Sequence, residues 1–419
     1  MATIWFYLTA FPLASVSAFV FYFSILLALI FPGLKYWAST NLVMPAPASD
    51  QRYLAPLDAF RGFAALWVAV GHTWQFPQYV FDSTWRVFPV IALGNNAVPV
   101  FCMLSGFLIY RSVIHISSTV ELRKYTVRRI LRIFPCYVAT IVACVAIGQI
   151  PLNLPRIIND GFMLRSFFGS SFTNPPSWSL YVEVLFYGLM PCIVAVAGRR
   201  MMEFSICAVV ILAVSDPDST RELQLWKYFF LGALVSMAVT ALRAKLESFS
   251  PGMRRAVPAG IFGLGIIVAF LLLISHHKLF ANLLGIGPEH SMSYSLWLGL
   301  GAGLLMVGAV CSPSLARLFG VGPLRYLGAI SYGLYLWHPI YLALNFPEMR
   351  FDQAGEIQIA LAHYPSMPFW YMPLIFMPGE LLLASLSFVL IERPFLVRRP
   401  KSRQKPTQGF QAESPSALT

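Results

Sequence analysis

Charge is scarce in this chain. Asp, Glu, Lys and Arg make up 11% of its 419 residues, less than half of the roughly 25% found in soluble domains. So few charges cannot keep a surface of this size in water, and a soluble globular protein is excluded. Acidic residues are scarcest: 18 Asp and Glu stand against 30 Lys and Arg, for a net charge of +12. In a membrane chain such an excess is the basic bias of cytoplasmic loops, so no nucleic-acid partner is expected. The six cysteines show no CxxC spacing and read as small apolar side chains rather than disulfide or metal sites. There is no repeat of fixed period and no nucleotide fingerprint. Nor does a metal-ligand cluster stand out: His276 and His277 are neighbours whose side chains would diverge on a helix, and they read as a solvated loop.

Long hydrophobic runs, by contrast, are abundant: 58% of residues are hydrophobic. Eleven apolar segments occupy 3–33, 57–76, 88–110, 133–150, 177–197, 203–215, 225–242, 256–275, 294–311, 323–345 and 370–391, and about 20 residues suffice to cross a bilayer. The pattern predicts an all-α, polytopic transmembrane helical bundle of about ten core helices plus one extra N-terminal span. Residues 1–35 form that extra span, 36–53 a cytoplasmic linker, 54–396 the main membrane domain and 397–419 a disordered tail. The first segment lacks positive charge at its start and an early cleavage site, so a retained span is expected rather than a signal peptide. Basic residues cluster on alternate connections: Lys35 and Arg52; Arg111 to Arg132; Arg199 and Arg200; Arg243 to Arg255; Arg317 and Arg325; and the tail. The positive-inside rule then places the N-terminus outside and the C-terminus in the cytoplasm. Gly299 and Gly303 have the GxxxG spacing of close helix packing.

The second segment carries Asp58, Arg61 and His72. Eleven residues at about 100° each return to within about 20° of the starting direction, so Arg61 and His72 share a face, about 16 Å apart along the axis. Asp58 lies one turn before Arg61 and is placed to pair with it. An arginine within the membrane costs at least about 2.5–3.5 kcal/mol and normally faces a cavity or partner. Two readings stand at this point. Arg61 snorkels to the inner headgroups and His72 makes an interhelical hydrogen bond, or the two present an anion-binding group and a base to a common cavity.

Several segments together resemble the acyltransferase-3 family of integral membrane acyltransferases. Arg61 and His72 within LDAFRGFAALWVAVGH look like its signature helix, and AVPVFCMLSGFLIY (97–110), with Ser105, like the next. YTVRRILRIFPCY (125–137) resembles its basic inner loop and PSWSLYVEVLFYGLMP (176–191) its Trp-Ser-Leu…Glu helix. LGAISYGLYLWHP (327–339) and IERPF (391–395) are similar to its closing motifs. Cys102 departs from the pattern, standing where an aromatic residue is commoner. No hydrolase-like domain follows the core, so the membrane part is expected to act alone or to hand acyl groups to a separate protein.

The resemblance implies an acyl-CoA-dependent O-acyltransferase of the bacterial cytoplasmic membrane, with acetyl-CoA as donor and a glycan or glycolipid hydroxyl as acceptor. His72, Arg61 and Glu183 are the expected catalytic residues, with Glu183 orienting His72. Arg128, Arg129 and Arg132, with Arg61, would cradle the donor phosphates, the 128/132 pair sharing one helix face. The same basic segment would otherwise serve contact with anionic lipids. Trp178, Ser105 and His338 are expected on the acceptor side, although an interfacial Trp and a packing His explain two of them equally well. Glu380 has no assigned role, and Glu392 and Arg393 read as an exposed pair at the headgroups. The competing class is a transporter of a glycan or small anion, against which stands the lack of matching broken helices in two repeats.

Overall fold

The computed structural model describes residues 12–30, 32–42, 54–80, 93–148, 154–163, 174–214, 221–275, 282–286, 292–346, 349–351, 357–359 and 371–397. Most of the expected linker, nearly all of the tail and the His276–His277 pair lie outside the described residues.

Each of the eleven apolar segments contains a helix among its described residues. Helix α1 (Pro12–Ile30) is followed by α2 (Pro32–Asn41). The core begins with α3 (Ala55–Val80), α4 (Ala97–Val113) and α5 (Thr119–Ala146). A short α6 (Leu154–Gly161) precedes α7 (Ser177–Ala197), α8 (Met201–Val214), α9 (Arg221–Glu247) and α10 (Pro251–Ile274). Then come α11 (Met292–Cys311), α12 (Pro313–Phe319), α13 (Gly322–Asn345), α14 (Tyr371–Ser387), a π-helical turn (Phe388–Glu392) and α15 (Arg393–Val397). The structure departs from pure helix in the 346–369 connection. There β1 (Met349–Phe351) and β2 (Ile357–Ile359) pair antiparallel, Met349 opposite Ile359.

One local feature changes an expected boundary, and a second accounts for the expected break between 197 and 203. The helix expected over 133–150 begins at Thr119, so the basic inner segment is the first part of a continuous helix about 42 Å long. Its start is fixed by Ser118, whose side chain accepts from the Glu121 backbone N–H, while the Glu121 carboxylate accepts from Ser117. This reciprocal arrangement satisfies amides that a helix start leaves open. The apolar stretch 177–214 is too long for a single crossing. It turns at Gly198, whose φ of +50° belongs to the left-handed region, and returns as α8 against α9.

Among the described residues, six helical stretches are individually long and apolar enough to cross a membrane, and α1 and α4 contain shorter apolar runs. Helices α3 and α13 meet neither description. They carry the polar residues, and they pack extensively on each other. Their contact depends on small residues: a Cβ added to Gly62 would sit 2.7 Å from the Leu327 Cβ, and one on Gly328 would strike the Asp58 carbonyl. Helices α4 and α9 approach equally closely, with Gly106 against the Phe229 carbonyl and Gly232 against the Met103 carbonyl. The expected GxxxG contact is present, Gly299 facing Leu231 and Gly303 facing Val235 of α9. Lipid offers no hydrophobic drive between helices, so such backbone approach supplies the dispersion contacts that hold them. Phe186 and Phe229, stacked 4.4 Å apart, fill the space between α7 and α9, while Phe19, Val142, Val196, Ile211 and Leu390 remain exposed, as side chains facing lipid do.

Candidate active site

The basic ends of α3 and α5 meet at a narrow cleft in the bundle. Arg61 of α3, Arg129 and Arg132 of α5, Ser105 of α4, Glu183 of α7 and Tyr335 of α13 all line it. On α4 the lining runs from Val98 to Ile109, eleven steps or about 16 Å of helix. Its cavity volume is about 70 Å³, room for a few water molecules.

Arg61 pairs with Asp58 at 3.2 Å, as the spacing suggested. The second basic contribution differs from expectation. Arg128 is exposed, whereas Arg129 and Arg132 face the cleft, so the expected 128/132 face is corrected to 129/132. Arg129 donates to Ser112 Oγ at 3.0 Å and lies over the rings of Tyr125 and Tyr187, at 5.3 and 5.2 Å. Tyr187 in turn donates its hydroxyl to Glu183 Oε1, which also accepts from Ser105 Oγ. Guanidinium, aromatic face, carboxylate and serine hydroxyl thus form one chain across α5, α7 and α4.

His72 lies beyond this cleft, and its partner is not Glu183. His72 Nδ1 is 2.7 Å from His338 Nε2, with the rings stacked 5.0 Å apart. His338 Nδ1 is 3.0 Å from the Leu334 carbonyl, which can only accept, so that nitrogen carries the hydrogen. His338 Nε2 is therefore the acceptor, His72 Nδ1 carries the hydrogen between them, and the His72 lone pair is on Nε2. The expected contact between Glu183 and His72 is not made; Glu183 meets Ser105 and Tyr187, and His72 meets His338, which was expected on the acceptor side. The ring of Tyr335, which lines the cleft, lies 6.1 Å from the His338 ring and 5.7 Å from Phe101. Its hydroxyl is 2.6 Å from Ser179 Oγ. Tyr335 stands between the cleft and the histidine pair.

Three other residues lie outside this chain of contacts, and one of them, Glu392, departs from expectation. Trp178 lines a separate pocket rather than the Arg61 cleft. Glu392 is 4% exposed, not part of an exposed pair. The π-helical turn that ends in Glu392 lets its carboxylate accept from Ser387 and lie against Gly333, where a Cβ would come within 2.8 Å of Oε1. Glu380, left without a role, is fully buried and accepts from Thr73 Oγ1 at 2.8 Å, one residue from His72. Nothing local in the sequence marks that contact, whose partners are 307 residues apart.

Comparison with known proteins places this geometry in context. The model of the acyltransferase domain family matches residues 54–377. The chain is 22% identical over 387 residues to the peptidoglycan O-acetyltransferase OatA of Listeria monocytogenes, covering 82% of this chain and 56% of that protein. It is 24% identical over 409 residues to YrhL of Bacillus subtilis, provisionally named for the same activity, covering 87% and 56%. Over 187 residues it is 26% identical to nodulation protein 10 of Rhizobium leguminosarum bv. viciae, covering 38% and 49%. The chain spans about half the length of the curated relatives it matches. No solved structure matches it.

Proposed function

The chain belongs to the acyltransferase-3 family of membrane proteins, and from that membership we propose that it moves an acetyl group from a cytoplasmic donor to a hydroxyl of a glycan or glycolipid. The basic ends of the helices lie in the cytoplasm of a bacterial inner membrane in this reading, and acetyl-CoA is the donor. The observation that carries the proposal is the His72–His338 pair beyond the inner end of an arginine-lined cleft.

The donor's phosphates meet Arg129, Arg132 and Arg61, whose guanidinium groups suit phosphate oxygens. Arg61 and His72 are about 16 Å apart along α3, so they cannot act on the same atom. That separation instead matches the two ends of a long donor, with phosphates at Arg61 and thioester near His72. Residue by residue, the acceptor hydroxyl gives its proton to His72 Nε2 while its oxygen attacks the acetyl carbonyl carbon. The carbon–sulfur bond then breaks, and the proton passes from His72 to the departing thiolate. His338 holds the reactive nitrogen toward the substrate by accepting from Nδ1. An alternative order, in which Nε2 first takes the acetyl group and then yields it to the hydroxyl, uses the same groups. Tyr335 lies between the cleft and His338, and its hydroxyl leaves Ser179 when the donor arm passes from the arginines to His72.

Membrane vesicles supplied with radiolabelled acetyl-CoA and a glycan acceptor test the reading. Replacing His72 with Ala is expected to lower transfer by about 10²–10⁴-fold, the usual contribution of a general base. Undiminished transfer by that variant would refute the mechanism. Uptake or export of the glycan without acetylation would favour the transporter class instead.

A further inference from the structure

At the end of the bundle opposite the basic connections lies a second pocket. Its walls include Trp178, Asn96, Lys227, Tyr228, Tyr294 and Ser295. These come from the starts of α7, α9 and α11 and the approach to α4. The far ends of α9 and α11 lead into the basic segments at Arg243 to Arg255 and Arg317, so the pocket and the arginine cleft open in opposite directions. They nevertheless share a wall: Val98 lines both, and Trp178 of the pocket precedes Ser179 and Leu180 of the cleft.

Lys227 is the unexplained group. It is 5% exposed, and among the described residues no carboxylate lies within 4.0 Å of its ammonium. Its recorded neighbour is the Tyr228 ring, 5.5 Å from Nζ. A cation held inside a membrane bundle is costly and normally marks the place of a charged partner or ligand. Around it stand groups of two other kinds. Trp178, Tyr228 and Tyr294 offer ring surface, which suits the apolar C–H face of a pyranose. Asn96, which donates to Tyr294 at 2.6 Å, and Ser295 offer amide and hydroxyl groups that match sugar hydroxyls. An anionic lipid headgroup would use the cation but leave the rings and the amide without a purpose.

We propose that this pocket binds the acceptor as an acidic saccharide, with Lys227 pairing to its carboxylate or phosphate and Trp178 against its ring. The assignment as acceptor site rests on the acyltransferase reading; the binding site itself does not. In that case the hydroxyl is presented across the Val98 wall toward the thioester, and the enzyme selects glycans that carry negative charge near the acetylated sugar.

Calorimetric titration of the full chain in neutral detergent tests this, using cellobiuronic acid against cellobiose, two disaccharides that differ by one carboxylate. The acidic sugar is expected to bind at least about tenfold more tightly, as one charge-assisted contact would give. Lys227→Met should abolish that preference and Lys227→Arg should keep it. Equal affinity for the two sugars, binding of neither, a preference that survives in Lys227→Met, or binding of phosphatidylglycerol alone would each overturn the proposal. The acetyl-transfer assay separates the two claims. Acidic-sugar binding without transfer would sink the acyltransferase reading and leave the pocket, whereas transfer with no preference for acidic acceptors would sink the pocket alone.

Discussion

Replacing His338 with leucine tests the histidine pair directly. The imidazole is fully buried, bonded on one side to the Leu334 carbonyl and on the other to His72 Nδ1 at 2.7 Å. Leucine fills most of the space but accepts nothing, so the His72 N–H loses its partner and the ring loses its preferred tautomer. A buried polar group left unsatisfied costs about 1–3 kcal/mol. If that cost falls on the reactive orientation, kcat drops about 10- to 100-fold, the size also seen when groups that orient a metal-bound histidine are removed. Glutamine carries an acceptor close to the position of Nε2, and His338→Gln should recover most of the loss. The Michaelis constant for the donor should stay constant in both variants, since the phosphate end lies elsewhere. The assay is initial-rate acetyl transfer by protein shown monodisperse by size exclusion, with donor and acceptor varied separately. Leucine and glutamine variants of equal activity, or a leucine variant with unchanged kcat, would refute the orienting role.

Two further predictions concern the cleft and the packing around it. Arg129→Ala and Arg132→Ala should each raise the Michaelis constant for acetyl-CoA by about tenfold or more, as expected on losing a hydrogen bond to a charged group, while exposed Arg128→Ala should change it by less than about twofold; saturation kinetics decide, and equal effects at all three positions would point to lipid contact. Gly106→Val should markedly lower the melting temperature in detergent, because a side chain there collides with the Phe229 backbone, whereas Gly188→Ala meets nothing within 4 Å and should be neutral or stabilising by roughly 0.5–1 kcal/mol.

Legibility in the sequence followed the range over which each signal acts. The Asp58–Arg61 pair needed only one turn and is present; helix periodicity gives Arg61 and His72 a shared face, but the cleft that Arg61 lines does not include His72. The basic cluster was recognisable as a cluster, but its phase was not. Whether 128 or 129 faces inward depends on which face of α5 packs on the bundle, and that is the face that buries Tyr125, Ile133 and Cys136. His338 was visible as a polar residue in an apolar helix, yet its partner lies 266 residues away. A nearer acid, Glu183, therefore attracted the role. Glu392 was misplaced for another reason: the π-helical turn shifts its side chain off the ordinary helical phase, and apolar periodicity does not reveal such a turn.

The missed histidine pairing has a physical origin that bears on mechanism. In a bilayer, apolar patterning reports which helices touch lipid, and α3 and α13 are not among the stretches apolar enough to cross on that measure. Their mutual contact is instead specified by Gly62 and Gly328, residues with no chemistry of their own. Those glycines bring the Asp58 end of α3 within backbone distance of α13, and ten residues further along each helix the same contact aligns His72 with His338. The histidine geometry is thus a consequence of how closely the two helices cross. A bulky residue at Gly328 would act on the histidine pair without touching either imidazole, and the distance at risk is the 2.7 Å separation on which the tautomer of His72 depends.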